Sequence, residues 1–334
     1  MRQRNAVTAI RGRKQEGTRR KKSTERAVGG ETAAPRGVRI THPDRVVYPG
    51  KGIRKLDVAE YYRAVMPRLL REIAGRPLSI LRCPDGTGAA CFFQKHPADR
   101  LGSAVKSISL REKGGGSDRY LYVDDARGVL ELVQMNTIEF HPWGARVDDP
   151  EKPDRLVFDL DPAPGVDWAS LVAAAKDIRA ELKKAALEGF PRLSGGKGLH
   201  VVVPFRRGPT WDQAKAFCET LAKTLAAAKP DRYLATASKA QREGRIFIDW
   251  LRNTRGATSV ASWSLRAREG APVAMPLRWE ELVKMKAPAV FDLAAAAKRA
   301  KTLRSDPWPG FATTRQSLPS LHRADESIRR ARRS

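Results

Sequence analysis

The chain has 334 residues, of which 41% are hydrophobic, and its 63 basic and 37 acidic side chains give a formal net charge of +26. No apolar run approaches the roughly 20 residues that cross a bilayer, and no apolar segment follows the N-terminal charges as a secretory signal requires. We therefore expect a soluble, cytoplasmic protein with no membrane contact. A charge of this sign favours nucleic acid as partner, although an arginine-rich proteome would also produce it.

The two ends of the chain differ from its middle. Residues 1–36 contain RGRK and RRKK without apolar periodicity, which predicts a disordered basic arm. Residues 312–334 are predicted to be a basic tail. The region 37–311 is a continuous globular pattern with no obvious linker. Both ends are expected to add non-specific affinity for phosphates.

The globular region mixes helix and strand patterns. Apolar spacing predicts a helix over 56–73, Asp167 is a suitable cap for a second helix, and Thr210 with Gln213 forms a capping box for a third. The segments predicted as strands are PLSILRC, YLYVDD, LELVQMN, RLVFDLDP, LHVVVPF and RIFIDWL. Because helices and strands do not alternate regularly, the pattern favours an α+β fold over a doubly wound sheet.

The chain has three cysteines, Cys83, Cys91 and Cys218, and this number is too small to predict a disulfide framework. The first two are too far apart for a C-x-x-C zinc knuckle, and no second pair follows. We expect three ordinary thiols.

The first candidate site is a pair of carboxylates at the end of a strand. Asp159 and Asp161 are two residues apart in RLVFDLDP, so they share one face, while Phe158 and Leu160 face a core. Two like charges this close repel each other unless a cation lies between them, and hard oxygen ligands suit Mg²⁺ or Mn²⁺. Alone, such a pair is more often a solvated strand end.

A third carboxylate, Asp249, interrupts the apolar strand RIFIDWL. A charge inside a buried strand is costly unless it is paired or bound to metal. One interpretation is a salt bridge to Arg252 or Arg245. The other is a site in which three aspartates hold two divalent cations, which could activate a 3′-hydroxyl and stabilise leaving pyrophosphate.

A glycine-rich segment, Ser194-Gly-Gly-Lys-Gly-Leu-His200, lies between the two acidic strands in sequence. Its glycines permit close approach of a ligand to the backbone, and Lys197 adds a positive charge. The spacing is not that of a Walker A motif, and a strand rather than a helix follows. Taken alone, such a segment is more often a simple turn. Three arginines follow the third carboxylate, and arginine suits phosphate oxygens; they are Arg252, Arg266 and Arg268.

In order, FDLDP, SGGKGLHVVVP, GRIFIDWLRN and SWSLRAREGAPVAMPL resemble the polymerase domain of bacterial DNA ligase D, a member of the archaeo-eukaryotic primase superfamily. The resemblance covers roughly 37–311 and includes HPDRVVYPGKGIRK, FFQKHP and IEFHPWG upstream. It implies a primase-polymerase fold with a central RRM-like antiparallel sheet flanked by helices and a second small α/β subdomain.

The resemblance also implies roles for particular residues. Asp159, Asp161 and Asp249 resemble the metal ligands, and the nucleotide-binding set is Ser194, Lys197, His200, Arg252, Arg266, Arg268 and His141. Phe92 and Phe93 resemble a pair that stacks on template bases; without the family they would be assigned to the core. Arg45 and Lys55 resemble the pocket for a downstream 5′-phosphate, although the family often has lysine at the first of these positions.

The implied activity is template-directed extension of primers and filling of gaps or ends in non-homologous end joining. It would use NTP or dNTP with ribonucleotide preference and two divalent cations, Mn²⁺ or Mg²⁺, on DNA with ends or gaps. Ku and a separate DNA ligase are the implied partners, because no lysine followed by the Asp-Gly of a ligase motif is found. The alternatives are a primase that starts strands de novo, a non-catalytic end-binding factor and a metal-dependent phosphohydrolase.

Overall fold

The computed structural model describes residues 37–98, 101–112, 114–238, 242–288 and 291–319. The predicted basic arm, 1–36, and the part of the predicted tail from 320 onwards lie outside the described residues. In the described part of that tail, the Gln316 carbonyl accepts a hydrogen bond from the Arg206 amide (2.8 Å), and Leu318 packs against the core. The chain therefore still contacts the body beyond residue 311.

The helices are α1 Lys55–Ile73, α2 Ala126–Gln134, α3 Trp168–Lys184, α4 Trp211–Ala228, α5 Trp279–Lys284 and α6 Leu293–Thr302. Three of them, α1, α3 and α4, confirm the sequence-based predictions. Asp167 caps α3 by accepting from the Ser170 amide (2.7 Å), and Thr210 and Gln213 form the expected capping box of α4. Within the described part of the chain, no helix is long and apolar enough to span a membrane.

The strands are β1 Val46–Tyr48, β2 Ile53–Arg54, β3 Leu78–Arg82, β4 Phe92–Gln94, β5 Lys106–Arg111, β6 Ser117–Tyr122, β7 Thr137–Pro142, β8 Arg155–Pro162, β9 Phe190–Leu193, β10 Leu199–Pro204, β11 Tyr233–Leu234, β12 Ile246–Asp249 and β13 Met275–Pro276. Of the six segments predicted as strands, five contain strands: β3, β6, β8, β10 and β12.

A six-stranded sheet forms the centre of the fold, in the order β11-β12-β8-β10-β9-β13. All of its pairs are antiparallel except β11 with β12. The helices α3 and α4 contact this sheet, and Phe158 and Leu160 are fully buried in the core as the alternation predicted. Asp159, which lies between them on β8, points to the other face. That face carries polar groups and a smaller buried apolar cluster that includes Val157, Val202 and Trp308.

A smaller sheet, β4-β3-β7, lies beside α1 and α2. Two backbone links join its strand β7 to the segment that follows β12. The Phe140 amide donates to Ser264 Oγ (2.9 Å), and the Phe140 carbonyl accepts from the Ala261 amide (2.8 Å). Strand β7 is thereby held next to the arginine-bearing segment 261–268.

The prediction that LELVQMN is a strand is wrong, because these residues form most of helix α2. Asp125 caps that helix by accepting from the Gly128 amide (2.9 Å). The apolar residues that face the core are Val129, Leu130, Leu132 and Val133, a spacing typical of a helix. The prediction began at Leu130 and so missed both the cap and the first apolar position.

The prediction of three free thiols is also wrong, because Cys83 and Cys91 form a disulfide, whereas Cys218 is a buried thiol. Antiparallel pairing of β3 with β4 places Arg82 opposite Phe92. The two cysteines are the next opposing pair along this hairpin, and their Cα atoms are 4.4 Å apart. The number and spacing of the cysteines do not reveal this pairing, because it depends on the hairpin that brings the two residues opposite each other.

Candidate metal and nucleotide site

Three carboxylates converge on the polar face of the central sheet, opposite the face that holds Phe158 and Leu160 in the core. Asp159 and Asp161 follow the two-residue repeat of β8, and the antiparallel register places Asp249 of β12 directly opposite Asp159. One oxygen from each of the three lies within 4.8 Å of the others. Oxygens on opposite sides of a Mg²⁺-sized ion are about 4 Å apart, since each is about 2.1 Å from the metal. The donor set and its spacing therefore suit a hard divalent cation.

The electrostatics of the three carboxylates differ. Burial, followed by the charges of Asp159 and Asp249, raises the pKa of Asp161 to about 6. Burial also raises the pKa of Asp249, although Arg252 opposes this shift. Burial would raise the pKa of Asp159 too, but His200 and Arg252 outweigh it and hold that pKa below its usual value. Without a cation, the charged forms of Asp161 and Asp249 are therefore disfavoured.

Arg252 lies next to this cluster. Its Nε is 3.2 Å from Asp249 Oδ2 and 3.8 Å from Asp159 Oδ2, and its side chain is half exposed. The salt bridge considered from the sequence is therefore present, and it occurs inside the acidic cluster rather than in place of it.

The glycine-rich turn lies directly beside the carboxylates. A Cβ on Gly198 would be 2.8 Å from the Leu160 carbonyl oxygen and 3.5 Å from Asp159 Oδ1, so a larger residue would push the turn off strand β8. The Ser194 amide donates to the Gly198 carbonyl (3.1 Å) and closes the turn. Lys197 is exposed at its tip and, within the described residues, makes no hydrogen bond or ion pair. Its ammonium is free to meet an anionic ligand.

Arg266 and Arg268 contact the same turn from the other side. Arg266 Nη1 donates to the Ser194 carbonyl, and a Cβ on Gly196 would be 3.2 Å from the Arg268 guanidinium carbon. Arg266 is half-buried and Arg268 is exposed. The two therefore differ in role: Arg266 supports the turn, and Arg268 presents its charge beside it.

His141 is held by a partner that the sequence analysis did not single out, Glu139. The two alternate on β7, and His141 Nε2 is 2.8 Å from Glu139 Oε2. Glu139 also accepts from Arg266 Nε (2.9 Å) and from the Ala267 amide (2.8 Å). Burial lowers the pKa of His141 although Glu139 opposes this. A buried carboxylate thus links the predicted histidine to the predicted arginine.

A row of charged side chains crosses the central sheet. The strand registers pair Asp249 with Asp159, Asp159 with His200, and His200 with Arg192. His200 Nε2 is 3.3 Å from Asp159 Oδ1, and Arg192 Nη2 is 2.8 Å from His200 Nδ1. His200 is only 4% exposed, and burial lowers its pKa. Both of its ring nitrogens are engaged, so it does not present a free donor to a triphosphate.

Behind this row lies Glu72 of α1, another residue that the sequence analysis missed. Its Oε2 is 3.3 Å from Arg192 Nη1 and 3.4 Å from Arg155 Nη1, and it accepts from the amide and hydroxyl of Ser262. Burial would raise the pKa of Glu72, but Arg155 and Arg192 hold it below its usual value. In sequence Glu72 looks like an ordinary polar helix position, and only the tertiary packing buries it.

Two aromatic side chains are exposed on β4 near the site. Phe92 is 46% and Phe93 61% exposed, so assignment to a core is excluded. The Phe93 ring packs edge-on against His141, with centroids 5.3 Å apart, and Arg82 lies over the Phe92 ring. Exposed large aromatics of this kind are available for stacking on a ligand.

Arg45 and Lys55 come together at the β1–β2 hairpin, where the Lys55 amide donates to the Arg45 carbonyl (2.8 Å). Arg45 Nη1 donates to the Pro84 carbonyl (2.8 Å) and is exposed. Lys55 is 4% exposed, and burial followed by the charge of Arg45 lowers its pKa to about 8. Within the described part of the chain its ammonium has no acidic partner, so the charge of this buried lysine is not compensated.

The family of the chain follows from comparison with known proteins. The family model described as "LigD, primase-polymerase domain" matches residues 54–308. The chain belongs to the LigD primase-polymerase domain family. A solved structure, the polymerase domain from Mycobacterium tuberculosis Ligase D in complex with DNA, matches with a TM-score of 0.79 and 31% identity, covering 85% of this chain and all of that one. The predicted α+β primase-polymerase fold is thus confirmed.

Two curated relatives have similar sequences. The multifunctional non-homologous end joining protein LigD of Pseudomonas aeruginosa is 38% identical over 299 residues, which are 89% of this chain and 35% of that protein. The LigD of Mycolicibacterium smegmatis is 34% identical over 247 residues, or 73% of this chain and 32% of that protein. The chain therefore spans about a third of the length of these relatives.

Proposed function

We propose that the chain is a template-directed nucleotidyltransferase that extends primer 3′ ends and fills gaps or ends during non-homologous end joining. One observation carries the proposal: three carboxylates from β8 and β12 converge within 4.8 Å, beside the turn that presents Lys197. Membership of the LigD primase-polymerase family makes nucleotidyl transfer the reaction that suits this arrangement.

The carboxylates of Asp159, Asp161 and Asp249 would hold two divalent cations, Mn²⁺ or Mg²⁺, which when bound lower the pKa of the attacking primer hydroxyl and stabilise leaving pyrophosphate. Burial, followed by repulsion from Asp159 and Asp249, raises the pKa of Asp161 to about 6. A bound cation would stabilise the charged form of this carboxylate against both effects.

The incoming NTP or dNTP would lie over the glycine turn. Lys197 and Arg268 are exposed and would contact the triphosphate, and Arg252 would turn from the carboxylates to a phosphate oxygen. Ser194 and Arg266 would support the turn, and His141 would face the sugar and primer end from β7. His200 would contribute through Asp159, because both of its nitrogens are engaged.

The DNA partner would carry an end or gap with a 5′-phosphate. Phe92 and Phe93 would stack on template bases, which accept any sequence because every base has a π-face. Arg45 and Lys55 would bind the downstream 5′-phosphate. Ku and a DNA ligase activity would complete repair in the bacterial cytoplasm, at the nucleoid.

Primer extension on a gapped duplex tests the proposal. The substrate carries a downstream 5′-phosphate, and reactions compare rNTP with dNTP and Mn²⁺ with Mg²⁺. We expect template-dependent lengthening with pyrophosphate release, and no product with Asp249→Asn. A reaction without primer separates extension from de novo priming. Absence of metal-dependent lengthening by the wild-type protein would refute the proposal.

A further inference from the structure

We propose that Arg192 is a positioning residue for the metal site: through His200 it fixes the orientation of Asp159. This inference rests on the proposed role of Asp159 as a metal ligand and extends it to two residues that do not touch the substrate. Three observations support it, namely the strand register, the hydrogen-bonding chemistry of arginine, and the burial of the whole row.

The register brings the three side chains to one face without any loop. Arg192 of β9 is opposite His200 of β10, and His200 is opposite Asp159 of β8. Directly opposed residues of antiparallel strands share a face and lie within side-chain reach. The geometry of the row is therefore set by backbone hydrogen bonds across three strands, which makes it rigid.

Arginine determines the tautomer of the histidine. A guanidinium has five N–H donors and no acceptor, and it stays protonated in proteins. Arg192 Nη2 lies 2.8 Å from His200 Nδ1, so Nδ1 must accept and carries no proton. The proton of the neutral ring is then on Nε2, which is 3.3 Å from Asp159 Oδ1 and donates to it.

The hydrogen bond from His200 gives the two oxygens of the Asp159 carboxylate different surroundings. Oδ1 is engaged by the ring, whereas Oδ2 lies on the side of Arg252, whose Nε also approaches Asp249. Oδ2 is thus on the side of Arg252 and Asp249, away from the oxygen that the ring engages. Groups that orient a ligating side chain in this way typically change metal affinity by about 10- to 100-fold when they are altered.

The back of the row is anchored in the core. Arg192 is 1% exposed, and Glu72 holds its Nη1 at 3.3 Å. A buried arginine is costly unless it is paired, and pairing with Glu72 meets that cost without requiring any contact to His200. The alternative, that Arg192 only neutralises Glu72, is therefore the one to test.

Arg155 supplies the matched control. It is also buried, at 5% exposed, and also pairs with Glu72, at 3.4 Å, but no hydrogen bond joins it to His200 among the described residues. The variants Arg192→Lys and Arg155→Lys each retain a charge for Glu72. Arg192 reaches Glu72 through Nη1 and His200 through Nη2, whereas a lysine has a single nitrogen and cannot make the two contacts from separate atoms.

Mn²⁺ binding to the DNA-free protein, followed by electron paramagnetic resonance of the free ion, is the primary measurement. We expect Arg192→Lys to weaken Mn²⁺ binding about 10- to 100-fold, and Arg155→Lys to change it by less than about twofold at a similar loss of melting temperature. Primer extension by Arg192→Lys should recover at high Mn²⁺. Equal Mn²⁺ affinity in the two variants would overturn the inference.

The tautomer of His200 can be measured in the wild-type protein, so this second test does not depend on the folding of an Arg192 variant. Long-range ¹H–¹⁵N spectra of the wild-type protein should show His200 with a bare Nδ1 and a protonated Nε2, assigned by loss of the signal in His200→Gln. A proton on Nδ1 would overturn the inference. If the proposed function failed, the wild-type protein would bind Mn²⁺ but extend no primer. The comparison of Mn²⁺ affinity between Arg192→Lys and Arg155→Lys would still decide the positioning role.

Discussion

The pocket of Arg45 and Lys55 should bind a 5′-phosphate in a pH-dependent way. Burial and then Arg45 lower the pKa of Lys55 to about 8 in the free protein. A terminal phosphate has its second pKa near 6, so it is a dianion above neutral pH and attracts the charged lysine. Binding would raise the lysine pKa, and affinity for the phosphate must therefore fall as pH rises through about 8.

The size of the effect follows from the fraction of charged lysine. With a pKa of about 8, about nine-tenths of Lys55 is charged at pH 7 and about one-tenth at pH 9. A phosphate that binds only the charged form loses about tenfold in affinity across this range, equivalent to about 1.4 kcal/mol. A lysine of ordinary pKa would show almost no change over the same interval.

Fluorescence anisotropy with two gapped duplexes measures this effect. One duplex carries a downstream 5′-phosphate and the other a 5′-hydroxyl, and the ratio of their Kd values isolates the phosphate contribution. We expect the preference to shrink about tenfold from pH 7 to pH 9 in wild type, to stay constant in Lys55→Arg, and to be small throughout in Lys55→Met. A wild-type preference that is constant with pH, or that falls equally in Lys55→Arg, would refute the reasoning.

Three further outcomes are expected. Asp249→Asn should reduce primer extension by at least about a thousandfold, whereas its affinity for DNA should change by less than about threefold. The reason is that this carboxylate would bind the cations and not the duplex. Gel-shift and extension assays on one preparation check both values. Phe93→Ala should weaken binding to duplex ends by about 1–3 kcal/mol, with Phe93→Trp close to wild type, and equal binding by all three proteins would argue against stacking. Glu72→Gln should destabilise the fold by about 3–5 kcal/mol in urea unfolding, because it leaves Arg155 and Arg192 buried without a counter-charge, and a loss below about 1 kcal/mol would contradict this. The wild-type advantage over Glu72→Gln should be present above the ordinary glutamate pKa of 4.5 and be lost as pH falls through the lower folded-state pKa of Glu72.

The sequence predicted the features that depend on neighbouring residues alone, namely the faces of a strand and the starts of helices. The two-residue repeat placed Asp159 and Asp161 on one face, and capping residues located the starts of α3 and α4. The proximity of Asp249 to Asp159 is different, because it depends on which strands pair and in what register. Nothing in either strand alone encodes that pairing, so the strand patterns left a salt bridge and a metal site as alternatives. The resemblance to a known family favoured the metal site.

The buried polar partners Glu72 and Arg192 were not predicted from the sequence. Glu72 lies in an amphipathic helix, and Arg192 lies in the short strand FPRL, which was not predicted. Burial of either charge depends on the packing of distant segments, including Ser262. A charge flanked by apolar residues was the signal that identified Asp249, and the same signal in FPRL would have identified Arg192.

The central claim is that three aspartates from two strands hold divalent cations. Anomalous diffraction from crystals soaked in Mn²⁺ tests it most directly. We predict anomalous peaks among the carboxylates of Asp159, Asp161 and Asp249, reduced or lost in Asp249→Asn. Well-occupied Mn²⁺ elsewhere on the protein, with none among these three carboxylates, would contradict the claim.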